Sequence, residues 1–143
     1  MASQFADVED ILGLENAKGS RLALANSVEN GLPLSALERL AGQVSPGDTN
    51  FKFRLIPKAT FERRKRAVKK ILNREESDRI ARLAKVFSLA ESVYGTPDGA
   101  RAFLTRPHMM LDGKLPLDVA LATGPGADVV SNILGRAAYG AAV

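Results

Sequence analysis

The spacing of apolar side chains along the chain predicts a succession of amphipathic helices. The two clearest stripes repeat every three or four residues: Leu34, Leu37, Leu40, Ala41 and Val44, then Ile80, Leu83, Ala84, Phe87, Ala90 and Tyr94. Shorter stripes are Phe5, Val8, Ile11 and Leu12; Leu22, Ala25 and Val28; Ala100, Phe103 and Leu104; Leu115, Val119 and Leu121; and Val129, Val130, Ile133, Leu134 and Ala137. The pattern predicts an all-α fold.

Residues suited to helix ends separate these stripes. Ser20 and Thr96-Pro97 are typical helix starts, and Gly31 and Gly95 are suited to the left-handed position that ends a helix. Capping boxes are predicted at Ser35-x-x-Glu38 and Asn73-x-x-Glu76. Gly124-Pro125-Gly126 is expected to separate the last two helices.

The segment 48–56 fits two structures. Asp48 could cap a short helix that contains Phe51, Leu55 and Ile56. Phe51, Phe53 and Leu55 also alternate as in a strand, and the segment has poor helix propensity. Both structures stay open at this point.

The next segment, 56–72, predicts a helix with one apolar and one cationic face. Pro57 suits its first position, Phe61, Val68 and Leu72 share one side, and Ala67–Ile71 continues the helix. Ten of the chain's twenty Lys and Arg residues lie between Lys52 and Arg74, against one acid, Glu62. That stretch carries +9 and the remainder −5, within a net charge of +4. Such clustering is typical of proteins that bind a phosphate backbone.

Composition narrows the possible chemistry. The 143 residues include no cysteine and one histidine, which excludes disulfides, thiolate zinc sites and a cysteine nucleophile. We expect neither metal nor cofactor. No apolar run approaches a membrane span, and the first residues carry acids where a signal peptide needs cations, so a cytoplasmic protein without membrane partners is expected.

Six motifs in order resemble the Xre/MbcA/ParS antitoxin family, the partners of RES-domain toxins. They are Gly31-Leu32-Pro33, Ile56-Pro57-x-x-Thr60-Phe61-x-Arg63-Arg64, Leu72-x-x-Glu75-Glu76-Ser77-Asp78-Arg79, Ala90-x-x-x-Tyr94-Gly95, Leu111-x-Gly113-x-x-Pro116-Leu117 and Leu134-Gly135-Arg136-x-x-Tyr139-Gly140. The resemblance implies an N-terminal Xre-like helix-turn-helix part, taken here as 1–72, and a C-terminal helical toxin-binding domain, 73–143. It implies no enzymatic activity.

The resemblance and the charge together predict contact with operator duplex DNA. Residues near the start of the basic helix would reach base edges while the flanking lysines touch phosphates. The candidates are Lys58, Thr60, Arg63, Arg64, Arg66, Lys69 and Lys70. A solvated cationic face is the alternative.

The resemblance further implies that the C-terminal end silences a cognate RES toxin, an enzyme that consumes NAD, and that the antitoxin represses its own promoter. The candidate toxin-binding residues are Arg136, Tyr139, Gly140, Ala141, Ala142 and Val143. A short uncharged tail suits a concave pocket because little charge is desolvated, although a frayed terminus has the same composition. A homodimer within a larger toxin–antitoxin complex is expected.

Four other functions have weaker support. Phe51, Phe53 and Phe61 interleave with cations and could stack bases of a single strand, or the basic helix could lie on an anionic membrane. A stand-alone transcription regulator with a helical dimerisation domain is the main alternative. A NAD or ADP-ribose enzyme is disfavoured because His108 has no partner at useful spacing, and the acids near Glu75 suit a helix start.

Overall fold

The computed structural model describes residues 7–15 and 19–140. Within these residues the structure is helical apart from turns, loops and an isolated β-bridge between Pro33 and Ile71. The helices are α1 (Val8–Leu12), α2 (Arg21–Asn30), α3 (Leu34–Val44), α4 (Lys52–Leu55), α5 (Lys58–Arg66), α6 (Arg74–Tyr94), α7 (Pro97–Leu104), α8 (Pro116–Ala122) and α9 (Gly124–Ala138), with a 3-10 turn at Met109–Leu111. The all-α prediction is confirmed.

The chain divides into two compact units, Met1–Ala81 and Arg82–Val143. The division falls inside α6, whereas the sequence analysis placed it at the start of that helix, between residues 72 and 73. The boundary between the functional domains, at residues 72 and 73, stays a prediction.

The core of the first unit is built on the predicted α3 stripe. Leu34, Leu37, Leu40, Ala41 and Val44 are all buried, and α1 and α4 pack against α3. Segment 48–56 adopts the helical alternative, α4, but Asp48 is not its cap: the N-cap is Phe51, and Asp48 Oδ1 accepts from the Asn50 backbone N–H at 2.9 Å in the turn before the helix. Phe51, Leu55 and Ile56 are buried as that alternative requires.

Two further predictions about helix ends in this unit are wrong. Ser35 does not cap α3, whose N-cap is Pro33, and α5 ends at Arg66 instead of continuing through Ile71. Both differences come from the bridge, in which the Leu34 N–H donates to the Lys70 carbonyl and the Leu72 N–H donates to the Leu32 carbonyl, each at 2.8 Å. These bonds hold Lys70–Leu72 extended, so Leu72 is buried but Val68 is fully exposed.

The predicted inner face of α2 is also wrong. Ser20 caps the helix as expected, accepting from the Ala23 backbone N–H at 3.0 Å. No residue of α2 is buried, however, and Leu22 and Ala25 are exposed. Val28 is half-buried, so within the described part of the chain this face is only partly covered.

The second unit is formed by the later part of α6 together with α7, α8 and α9. Leu83, Ala84, Phe87 and Ala90 of α6 are buried as predicted. Thr96 caps α7 through its hydroxyl, which accepts from the Gly99 backbone N–H at 3.0 Å. The α7 stripe is confirmed by the burial of Ala100, Phe103 and Leu104.

The last two helices lie close to their predicted positions, with shifted faces. In α8 the buried residues are Pro116, Leu117 and Ala120, one position from the predicted stripe. In α9 they are Ala127, Val130, Ile133 and Leu134, while Val129 is largely exposed. Gly124-Pro125-Gly126 is the first turn of α9, because the Thr123 hydroxyl accepts from the Gly126 N–H at 2.9 Å.

Candidate functional site

Aromatic and aliphatic packing fixes α5 in position within the first unit. Phe61, the buried residue of α5, meets Phe53 edge to face with ring centroids 5.7 Å apart. The Lys52 ammonium lies 4.8 Å from the Phe61 centroid, and the Lys58 ammonium lies 5.6 Å from that of Phe53. The rings therefore serve as core and cation platforms, and they are not stacked in an open row as a single-strand binder requires.

The exposed cations of α5 and of the loop after it form a cationic surface. We define the cationic surface as Lys58, Arg63, Lys65, Arg66, Lys69 and Lys70, all of which are exposed. Thr60 is half-buried beside it. Because α4, the Ile56-Pro57 turn and α5 succeed one another, the arrangement is that of a helix-turn-helix with α5 as its second helix.

Arg64 differs from the other candidate cations. Its Nε and Nη2 both donate to Glu76 Oε1, at 3.2 and 2.9 Å, and the two side chains retain 24% and 11% exposure. The same oxygen accepts from the Asn73 N–H at 2.9 Å, while Asn73 Oδ1 accepts from the Glu76 N–H at 2.8 Å. The predicted capping box is confirmed, and Arg64 ties α5 to it.

Two further residues of the Glu-Glu-Ser-Asp-Arg motif hold neighbouring segments. The buried Ser77 hydroxyl accepts from the Leu32 backbone N–H at 2.8 Å. Arg79 Nη1 donates to the Leu55 carbonyl, the last of α4, also at 2.8 Å. The sequence predicts Glu75, Glu76 and Asp78 as acids of a helix start, and it does not predict that the motif orients the helix-turn-helix. The sequence signal for this role is the twelve-residue spacing between Arg64 and Glu76, which becomes informative only once the fold is known.

The candidate toxin-binding end leaves the second unit at the end of α9. Ile133 and Leu134 anchor the helix, while Arg136 and Tyr139 are exposed, Tyr139 to 93%. Gly140 has φ of +80°, the left-handed conformation that ends a helix. The other predicted residues, Ala141, Ala142 and Val143, lie outside the described part of the chain.

Other titratable groups of the second unit have structural partners. His108 Nδ1 accepts from the Met110 backbone N–H at 3.1 Å, and its ring lies edge-on to Phe103. Burial raises the pKa of the Glu91 carboxyl, and the positive charge of Arg101 opposes that rise. Within residues 7–15 and 19–140, no cluster of three acids or histidines is arranged to hold a metal ion.

Across residues 7–15 and 19–140, no helix has both the length and the apolar character needed to span a bilayer.

A helix-turn-helix unit followed by a second helical unit is a two-domain, all-helical architecture of the helix-turn-helix class. Two family models match these halves in order: the antitoxin Xre-like helix-turn-helix domain over residues 23–85, and the antitoxin Xre/MbcA/ParS C-terminal toxin-binding domain over residues 89–140. The chain belongs to the Xre-type antitoxins. Comparison with curated proteins gives no match.

Proposed function

We propose that this antitoxin neutralises a RES-domain, NAD-degrading toxin by blocking its active site, and that it represses its own operon as a DNA-bound homodimer. The observation that carries the proposal is the order of the two family matches along one chain. The helix-turn-helix match contains the cationic surface, and the toxin-binding match contains the exposed end of α9. The cationic surface supports the DNA-binding half. The exposed end of α9 supports the toxin-binding half.

For DNA, we assign the first turns of α5 to the major groove. Lys58, Thr60 and Arg63 reach base edges there, and Arg66, Lys69 and Lys70 contact phosphates. Arg64 acts through Glu76 by holding α5 at its angle, and it does not read bases. With roughly four phosphates neutralised by each subunit, a dimer gives a slope of about −7 in log K against log salt. Its two half-sites lie about 34 Å apart.

For the toxin, we assign Tyr139 to the rim of the active-site cleft and the residues after it to the interior. Tyr139 supplies a large apolar surface with one polar tip, a combination that is enriched in protein interfaces. Gly140 permits the chain to leave the helix axis, and residues 141–143 carry no charged side chain. Arg136, one helical turn earlier and exposed, faces an acidic residue of the toxin.

The proposal is tested by co-expression with the protein encoded beside this gene. We expect a RES-domain protein to co-purify with the full chain, to stop consuming NAD, and to lose its toxicity to the host cell. The chain alone should consume no NAD. If the neighbouring product neither binds nor is inhibited while the chain still binds its own promoter, the stand-alone regulator is correct instead.

A further inference from the structure

Helix α2 is unusual among the helices of the first unit. It has ten residues, none of them buried, and Leu22 at its start is 71% exposed. A helix of this length has marginal stability in water unless tertiary packing covers one face. The Ser20 cap is a local interaction, and Ala23, Leu24, Ser27 and Val28 are only half-buried, so tertiary packing covers α2 incompletely.

The sequence of α2 is arranged symmetrically about Ala25. At about 100° per residue, Arg21, Leu22, Val28 and Glu29 all project within about 60° of the Ala25 direction. A cation and an acid stand four residues before and after Ala25, and an apolar residue stands three residues before and after it. A two-fold axis through Ala25 therefore matches apolar with apolar and cation with acid.

We propose that α2 packs antiparallel against α2 of a second copy of this chain, about a two-fold axis through Ala25. Leu22 then meets the partner's Val28, and Arg21 meets the partner's Glu29, with both contacts made twice by symmetry. Ala25 at the crossing permits close approach of the two backbones, since its side chain is a single methyl group. The inference rests on the proposed homodimer and names its surface.

A groove beside α2 fits the partner's leucine. It has a volume of about 540 Å³ and is lined by Ala25, Val28 and Glu29 of α2 and by Arg74, Glu75 and Asp78 at the start of α6. The apolar pair Ala25 and Val28 would receive the partner's Leu22, while the acids of the rim attract the partner's Arg21. Arg74 Nη2 lies 3.5 Å from Glu29 Oε1, and both side chains are largely exposed. Glu29 is thus available to a second cation.

Cysteine crosslinking tests the geometry cleanly because the chain contains no cysteine. In the full-length protein, A25C places two thiols on the axis, within reach of a disulfide. N26C is the matched control, since Asn26 is exposed on the same helix about 100° away. We expect A25C to form a covalent dimer under mild oxidation roughly tenfold faster than N26C, or more. Equal rates would overturn the interface.

Charge exchange gives a second test with its own control. R21E and E29R each place like charges across the interface, so each variant alone should dissociate to monomers in sedimentation. An equimolar mixture restores opposite charges at both contacts, and it should recover the dimer. A mixture that stays monomeric, or single variants that stay dimeric, would rule out the antiparallel pairing.

The outcomes separate this inference from the proposed function. Operator binding and toxin neutralisation with no preferential A25C crosslink reject the α2 interface and leave the function standing. Crosslinking through A25C without neutralisation or operator binding confirms the interface and rejects the function. A wild-type chain that is monomeric at all concentrations used for operator binding rejects the dimer as well.

Discussion

Two adjacent arginines of α5 have different surroundings and should respond differently to substitution. Arg63 is exposed, whereas Arg64 donates twice to the nearly buried Glu76. R64A should lower the free energy of unfolding by about 1–3 kcal/mol, since Glu76 loses its cation. R63A should change it by less than about 0.5 kcal/mol. Urea unfolding measures both, and equal effects would mean that the ion pair does not stabilise the fold.

The buried Glu91 predicts a pH-dependent stability. Because burial raises the pKa of its carboxyl, the folded chain favours the neutral acid, and ionisation costs stability. The contribution of this group is fully present below the ordinary value of 4.5 and is lost as the pH rises through the raised pKa. E91Q should therefore melt higher than the wild type at neutral pH. Its advantage should vanish at low pH, and a difference in Tm that is constant with pH would contradict the assignment.

Among the elements, the bridge between residues 33 and 71 depends on a glycine. Gly31 has φ of +99°, and a Cβ there would collide with the Leu72 carbonyl oxygen. G31A should cost about 2 kcal/mol or more, because the strain and the collision add. G42A is the matched control: Gly42 lies inside α3 with open space around it, so alanine should stabilise by roughly 0.5–1 kcal/mol. Thermal unfolding of both variants measures the contrast.

At the scale of elements, helix ends could be predicted where a cap bonds a nearby backbone group. They could not be predicted where the bonding partner lies far along the chain. Ser20, Thr96 and Asn73 were predicted as caps because each bonds a backbone N–H only three residues away. The prediction that Ser35 caps α3 is wrong because the Leu34 N–H donates to the Lys70 carbonyl, and no local pattern indicates this distant partner. The end of α5 was missed for the same reason, since residues 67–70 have acceptable helix propensity, while the distant bonds to Leu32 and Leu34 hold Lys70–Leu72 extended.

The same distinction between local and distant sequence signals applies to the candidate site. The cationic character of α5 and the exposed end of α9 could be predicted from charge clustering, from apolar spacing and from the motifs of the family. The engagement of Arg64 could not, because its partner lies twelve residues away on another helix. The open face of α2 could not either, since an apolar stripe does not say whether its partner is the same chain or another.

For the molecule as a whole, the proposed activities should be separable by mutation. R63A/R66A removes one cation assigned to base edges and one assigned to phosphates from each subunit of the dimer, so operator affinity should fall and the log–log salt slope should become shallower by about 2. Toxin neutralisation should be unchanged. K85A/K114A, which removes the same charge from exposed positions of the second unit, is the control and should leave the slope nearly intact. Parallel loss of both activities in R63A/R66A would argue against two independent surfaces.

The reciprocal variant removes residues 139–143. It should retain operator affinity and the salt slope while failing to inhibit the NAD-consuming activity of the toxin, because the segment assigned to the cleft is gone. Binding and inhibition assays on the same preparation measure both. Full inhibition by the truncated chain would show that the tail is dispensable and that another part of the second unit blocks the enzyme.

The carboxylate of Glu76 accepts from a side chain of α5 and from the backbone at the start of α6, and the neighbouring Ser77 hydroxyl holds Leu32. A genetic screen for derepressed colonies should therefore return changes at these two positions as readily as changes among the surface cations. If every position found in the screen were taken as a DNA contact, the carboxylate of Glu76 would be placed against the phosphates of DNA. Under the proposed function, the proper inference would be that repression failed because α5 had lost its support.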